Sequence, residues 1–167
     1  MTKQAGAKKV LFVCTGNSCR SVMAEALLRD YLERKERTDV QVLSAGTNTM
    51  DGIGPTLETV EVMWNEGVDV SHHAGQQLTP ELIRHADLIL CMEDYHRQQV
   101  LEMAPEAEPK VHLLKTFQNP VKMPDPNIPD PIGCSKKVYE MVLLTIKDGV
   151  HRVLKWLEDS DRKETPA

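Results

Sequence analysis

The sequence predicts an α/β domain with a doubly wound, flavodoxin-like sheet of four parallel strands, and three observations lead there. Short apolar runs alternate with amphipathic helical segments along the chain, which implies a parallel sheet with helices on both faces. The runs are continuous rather than alternating, as in strands buried on both sides. The chain has 167 residues, the size of one domain, and two halves would each be short of core.

The elements follow in order. Val10-Leu11-Phe12-Val13 is the first buried strand. The polar loop Cys14 to Arg20 comes next, then a helix from Ser21 to about Lys35 whose apolar face carries Ala24, Leu27, Leu28, Tyr31 and Leu32. Val40-Gln41-Val42-Leu43 is the second strand, ending in Ser44-Ala45-Gly46. A helix runs from about Pro55 to Glu66 and stops at Gly67. Thr79-Pro80-Glu81 starts a short helix that ends near His85, proline being tolerated in a first turn. Leu88 to Cys91 is the third strand, with a helix after it to about Met103, and Val111 to Leu114 is the fourth. Prolines crowd Phe117 to Gly133, which makes that stretch an irregular surface loop, and long loops in compact domains tend to carry function. Ser135 caps a final long helix with Tyr139, Val142, Leu143, Ile146, Val150, Val153, Leu154 and Leu157 on one stripe. Gly149 should weaken that helix by ~1 kcal/mol. Residues 1–8 and 159–167 read as flexible tails of a single domain spanning 1–167, and Trp64, Trp156 and the methionines read as core.

Composition narrows the partners. A net charge of −5 argues against nucleic acid, whose phosphates are bound by basic surfaces. The polar start of the chain lacks the apolar core of a signal peptide, and no apolar run approaches membrane-spanning length. The expectation is a cytoplasmic monomer that does not touch membranes. The four cysteines, Cys14, Cys19, Cys91 and Cys134, form neither a CxxC pair nor zinc spacing with histidine, so neither a metal nor a disulfide framework is expected. No cofactor motif appears.

The chemistry concentrates in Cys14-Thr15-Gly16-Asn17-Ser18-Cys19-Arg20-Ser21, between the first strand and the first helix. A short loop wound around a tetrahedral dianion directs its backbone N–H groups inward as a nest, and the helix start adds further amides. Gly16 is expected to relieve the tight turn. Arg20 supplies a planar fork for two phosphate oxygens. The same positive surroundings stabilise charge on the Cys14 sulfur, and the Ser21 hydroxyl can add a hydrogen bond to it. A nucleotide-binding loop is excluded because Gly-Lys-Ser/Thr is missing. Expelling an alkoxide then needs an acid approaching from the side opposite the sulfur. Asp125-Pro126 and Asp130-Pro131 both offer one, and Asp130 is favoured because Gly133 and the Ser135 cap fix its place in the loop.

Val10 to Leu28, VLFVCTGNSCRSVMAEALL, resembles the opening of the low-molecular-weight protein tyrosine phosphatases. Ser44-Ala45-Gly46, Ser71-His72, Ala86 to Met92 and Asp130-Pro131-Ile132-Gly133 match the same family in order. The resemblance implies hydrolysis of a phosphorylated protein through a phosphocysteine. Cys14 would be nucleophile, Arg20 the clamp and Asp130 the general acid. Thr15, Gly16, Asn17, Ser18, Cys19 and Ser21 would form the phosphate cradle, with Ser44 and His72 in the hydrogen-bond network that holds it. Val22 departs from the proline usual after Arg-Ser in the family. Cys19 would sit near enough to Cys14 for a reversible redox pairing, or serve as a small buried side chain. Tyrosine-directed members usually carry a bulky aliphatic residue where this chain has Ser18, and the protein-arginine phosphatases of the family a threonine. Ser18 therefore leans toward phosphoarginine, while Ile132 matches neither branch. The loop also resembles that of thiol-dependent arsenate reductases, whose relay needs two further cysteines. Cys91, at the end of a strand, and the isolated Cys134 do not suggest one.

Overall fold

Val10 to Val13 have no exposed side chain, and a strand buried on both faces belongs at the middle of a sheet. The computed structural model, which describes residues 7–164, places it there. β1 (Lys8–Cys14) pairs in parallel with β2 (Val40–Gly46) on one side and with β3 (Leu88–Cys91) on the other, and β4 (Val111–Leu113) lies beyond β3. The order is β2-β1-β3-β4. The registers set Cys14 beside Gly46 and Val13 beside Cys91.

Strand geometry divides the core in two, since successive side chains point to opposite faces. Val10, Phe12 and Cys14 join one cluster with residues of α1 (Arg20–Arg34), α2 (Leu57–Asn65) and α5 (Lys136–Glu164). Leu11 and Val13 join the other, with residues of α3 (Pro80–His85) and α4 (Asp94–Met103). Thr56 and Thr79 cap α2 and α3, their hydroxyls accepting from Thr59 N and Leu82 N.

Among the described residues, four strands and five helices fall where the sequence places them, with differences at the edges. Pro105–Lys110 forms a 3₁₀ turn, which the apolar pattern does not signal because its run of Glu and Pro carries no periodicity. α5 continues to Glu164, so 159–164 is helix rather than tail; Lys35–Glu158 and Arg37–Asp161 ion pairs tie its end to the region after α1. At the other end Lys8 already belongs to β1. The tail expectation for 1–6 and 165–167 lies outside the described residues. Trp64 is 66% exposed on α2, not core. Among the described residues no helix is long and apolar enough to cross a membrane.

From β1 the chain winds outward to β2, then crosses back to β3 on the other side. The crevice where the winding reverses is where doubly wound sheets bind ligands, beyond the carboxyl ends of their strands. Cys14 ends β1 and Cys91 ends β3, so both strands deliver their following loops to that crevice.

Candidate active site

The loop after β1 is shaped by Asn17. Its backbone has φ 51°, so the left-handed residue of the turn is Asn17 and not Gly16; asparagine tolerates that region better than most side chains. Its side chain is fully buried and every polar atom is used. Oδ1 accepts from Gln76 N at 3.0 Å, and a backbone N–H can only donate, which fixes the orientation of the amide. Nδ2 then donates to Ser21 Oγ at 2.8 Å and to Ser44 Oγ at 2.9 Å. Ser44 passes its own hydrogen to Glu25 Oε2 at 3.0 Å.

Those bonds decide what Cys14 meets. Ser21 Oγ lies 2.9 Å from Cys14 Sγ. Because that oxygen already accepts from Asn17, its hydrogen is left for the sulfur. The Asn17 backbone N–H also donates to Sγ at 3.3 Å. Two donors therefore converge on the sulfur. The side chain is 2% exposed and yet forms part of a cavity wall.

That cavity, about 250 Å³, is lined by Cys14, Thr15, Gly16, Ser18, Cys19, Arg20, Asp130 and Ile132. The first helical residue, Arg20, is 2% exposed, and a buried guanidinium needs partners to offset its desolvation. NH1 donates to Glu93 and, at 2.7 Å, to the Ile128 carbonyl. NH2 lies 3.5 Å from Asp130 Oδ2. Asp130 Oδ1 accepts from Ile132 N at 3.1 Å, and the partly exposed carboxylate thus sits across the cavity mouth. Asp125 instead closes its own turn onto Asn127 N and is not in the cavity wall. Of the two Asp-Pro pairs, the structure brings Asp130 to Cys14 and Arg20.

His72 is exposed, and the contact expected of it belongs to His73. The His73 Nε2 donates to the Asn17 carbonyl at 3.1 Å, with Nδ1 3.4 Å from Glu25 Oε2. The physical reason is the bend after Val70: burying Val70 and Gly75 turns the side chain at 73 inward and leaves 72 in solvent. Glu25, Thr49, Glu93 and His96 were not singled out in the sequence. Thr49 donates to the Gly16 carbonyl at 2.6 Å. His96, buried under Thr15, is joined to it at 2.8 Å. Burial pushes the His96 imidazole down to about 4; the Arg20 charge adds to the effect and Asp130 opposes it. Hydrophilic residues in a helix first turn carry no such signal in sequence, although Glu93 and His96 stand three apart at the start of a helical run, the spacing of a capping box.

Cys19 is buried, with its sulfur 3.4 Å from Thr56 Oγ1 and 3.6 Å from Tyr139 Oη. Val22, where the family usually has proline, packs in the core, and α1 begins at Arg20 without it. Cys91 is completely buried in β3, and burial pushes its thiol up, out of the reactive range. Cys134 is exposed.

Comparison with known proteins agrees with this geometry. The family model described as low molecular weight phosphotyrosine protein phosphatase matches residues 9–163. The probable low molecular weight protein-tyrosine-phosphatase EpsP of Ralstonia nicotianae is 38% identical over 143 residues, 86% of this chain and 91% of that protein. A protein-arginine-phosphatase of Geobacillus stearothermophilus is 38% identical over 131 residues, 78% of this chain and 83% of its own length. The solved structure of YwlE arginine phosphatase from Geobacillus stearothermophilus superposes with a TM-score of 0.84 at 31% identity, covering 96% of this chain and 99% of that one. Vibrio vulnificus Wzb in complex with benzylphosphonate gives 0.78 at 32% identity, covering 90% and 99%. With the family's model matched almost end to end, this chain belongs to the low-molecular-weight protein tyrosine phosphatase family, which includes an arginine phosphatase branch, and is a hydrolytic protein phosphatase.

Proposed function

We propose that the enzyme hydrolyses phosphorylated protein side chains in two displacements through a phosphocysteine on Cys14. The observation that carries this is the convergence of the Ser21 hydroxyl and the Asn17 amide on the Cys14 sulfur, in a cavity shared with Arg20 and Asp130. In the first step the sulfur forms a bond to phosphorus as the bond to the leaving oxygen or nitrogen breaks. Asp130 gives that atom its proton. In the second step the Asp130 carboxylate takes a proton from water, the water oxygen bonds to phosphorus, and the sulfur leaves as thiolate with release of inorganic phosphate. Throughout, the loop amides and Arg20 carry the charge on the equatorial oxygens. NH1 of Arg20 is occupied by Glu93 and Ile128, so NH2 and Nε are the pair left to bind the phosphoryl group. A relative supports the covalent step: a cysteine-to-serine variant of YwlE arginine phosphatase carries a phosphorylated active-site serine, and that chain superposes on this one with a TM-score of 0.83.

The buried Cys91 weighs against a cysteine relay of the arsenate reductase kind. For the leaving group, Ser18 on the cavity wall favours phosphoarginine, since a small hydroxylated residue can face a guanidinium where an aliphatic one would pack on a ring. Ile132, which matches neither branch, also lines the cavity and offers apolar surface on which an aryl group could pack. The ratio of kcat/KM on matched phosphoarginine and phosphotyrosine peptides decides between them. Acid quench within the first turnover of a phosphomonoester, followed by mass spectrometry, should find phosphate on Cys14; turnover with label on any other residue, or on none, would refute the mechanism.

A further inference from the structure

His96 has no part in the two displacements, yet it is fully buried against the phosphate loop. Its ring makes two bonds whose directions can be read from chemistry alone. Nδ1 lies 3.0 Å from Glu93 N; a backbone N–H only donates, so Nδ1 accepts and carries no hydrogen. The hydrogen is therefore on Nε2, which donates to Thr15 Oγ1 at 2.8 Å. Thr15 is the residue after the nucleophile and lines the cavity. Glu93, at the other end of the ring, is the carboxylate that receives Arg20 NH1. Burial, with the Arg20 guanidinium and against Asp130, keeps the imidazole uncharged near neutral pH, so this pattern of one donor and one acceptor persists.

We propose that His96 is a positioning residue for phosphoryl transfer, one imidazole that fixes the cysteine loop through Nε2 and the backbone of the arginine-orienting carboxylate through Nδ1. The proposal rests on the reading of Cys14 as nucleophile and Arg20 as clamp. Its physical basis is that β1 delivers the cysteine loop with Arg20 while β3 delivers the carboxylate that orients Arg20, on a separate segment. The sheet sets their separation only up to the ends of the strands, and small misplacements of a reacting group are costly in rate. The competing account makes His96 a helix cap and nothing more, which needs Nδ1 alone. The Nε2 bond to Thr15 is what that account leaves unexplained.

The two accounts part in a double-mutant cycle. Thr15→Val removes the acceptor with little change of shape. His96→Asn retains a carbonyl that can accept from the Glu93 amide but is too short to reach Thr15. Each substitution should lower kcat/KM on p-nitrophenyl phosphate by about tenfold, mainly in kcat, and the double variant should be no worse than either one. Losses that multiply in the double variant, or a His96→Asn enzyme at the wild-type rate, would overturn the proposal. A measurement that needs no turnover runs beside it. Nitrogen-15 spectra of the wild-type imidazole at neutral pH should have the proton on Nε2, and the Nε2 signal should move in Thr15→Val. A proton on Nδ1, or a signal indifferent to Thr15→Val, refutes the inference even if His96→Asn fails to fold. If the wild-type protein does not turn over the ester at all, the fault lies with the phosphatase reading, and the spectra still report on His96.

Discussion

Asn17 sets the polarity of the site. Gln76 fixes its amide, the amide fixes the serine hydroxyl, and the hydroxyl points at the sulfur. In the proposed mechanism Asp130 belongs to a different part of the reaction. Replacing it by alanine should slow turnover of an alkyl or peptidyl phosphate by about 100-fold, a size usual for losing a general acid. The oxyanion cradle remains, so the inhibition constant of a phosphate analogue should stay within a fewfold. Asp125→Ala, whose carboxylate only closes a turn, should leave both nearly unchanged. His96 carries a pH prediction as well. An unfolded imidazole takes up a proton near 6.5 and the folded one only near 4. Between those values the unfolded chain binds more protons, so stability must fall as the pH drops through that window. The thermal midpoint of His96→Asn should fall less steeply over the same range than that of the wild type.

Two glycines show how elements were fitted together. A Cβ on Gly46, the last residue of β2, would stand 2.5 Å from the Thr15 carbonyl oxygen and 3.1 Å from Asn17 N. Gly46→Ala should therefore displace the phosphate loop, with a loss of kcat/KM on the order of 100-fold and a smaller effect on folding. On α5, a Cβ at Gly149 would stand 2.7 Å from Leu114 Cγ and 3.0 Å from its carbonyl oxygen. Gly149→Ala should destabilise the protein by about 1–3 kcal/mol, as overpacked cores do, although alanine is the better helix former. Activity measured well below the transition should survive. The sequence marked Gly149 only as a weak point in a helix, because the neighbour that demands it is 35 residues away in the chain. The choice between His72 and His73 is illegible for a related reason. Residues 71–78 have no period, and between two adjacent histidines nothing local tells which one faces in. By contrast β1 and β3 are legible as short continuous apolar runs, and α1 and α5 because their apolar residues repeat at helical spacing.

At the scale of the molecule, β1 lies at the point where the winding reverses, and strand order alone would place a ligand there. The cysteine loop is legible in sequence because cysteine, turn and arginine are contiguous. Glu93, His96 and Glu25 could not, since each matters only through a partner brought close by the sheet. The cradle is held by groups from several packed segments, among them the side chains of Thr49, His73 and His96 and the backbone N–H of Gln76. Asp130, on the proline-rich stretch, has its hydrogen bond to its own turn and a 3.5 Å approach to Arg20. In the proposed mechanism, capture of a phosphoryl group and its discharge to water are thus entrusted to parts of the chain with unequal anchorage. A single proteolytic cut between Lys122 and Asp125, clear of the buried Ile128 that holds Arg20, should yield a protein that accepts phosphate from an activated aryl ester and then keeps it: an enzyme turned into a once-only phosphate trap.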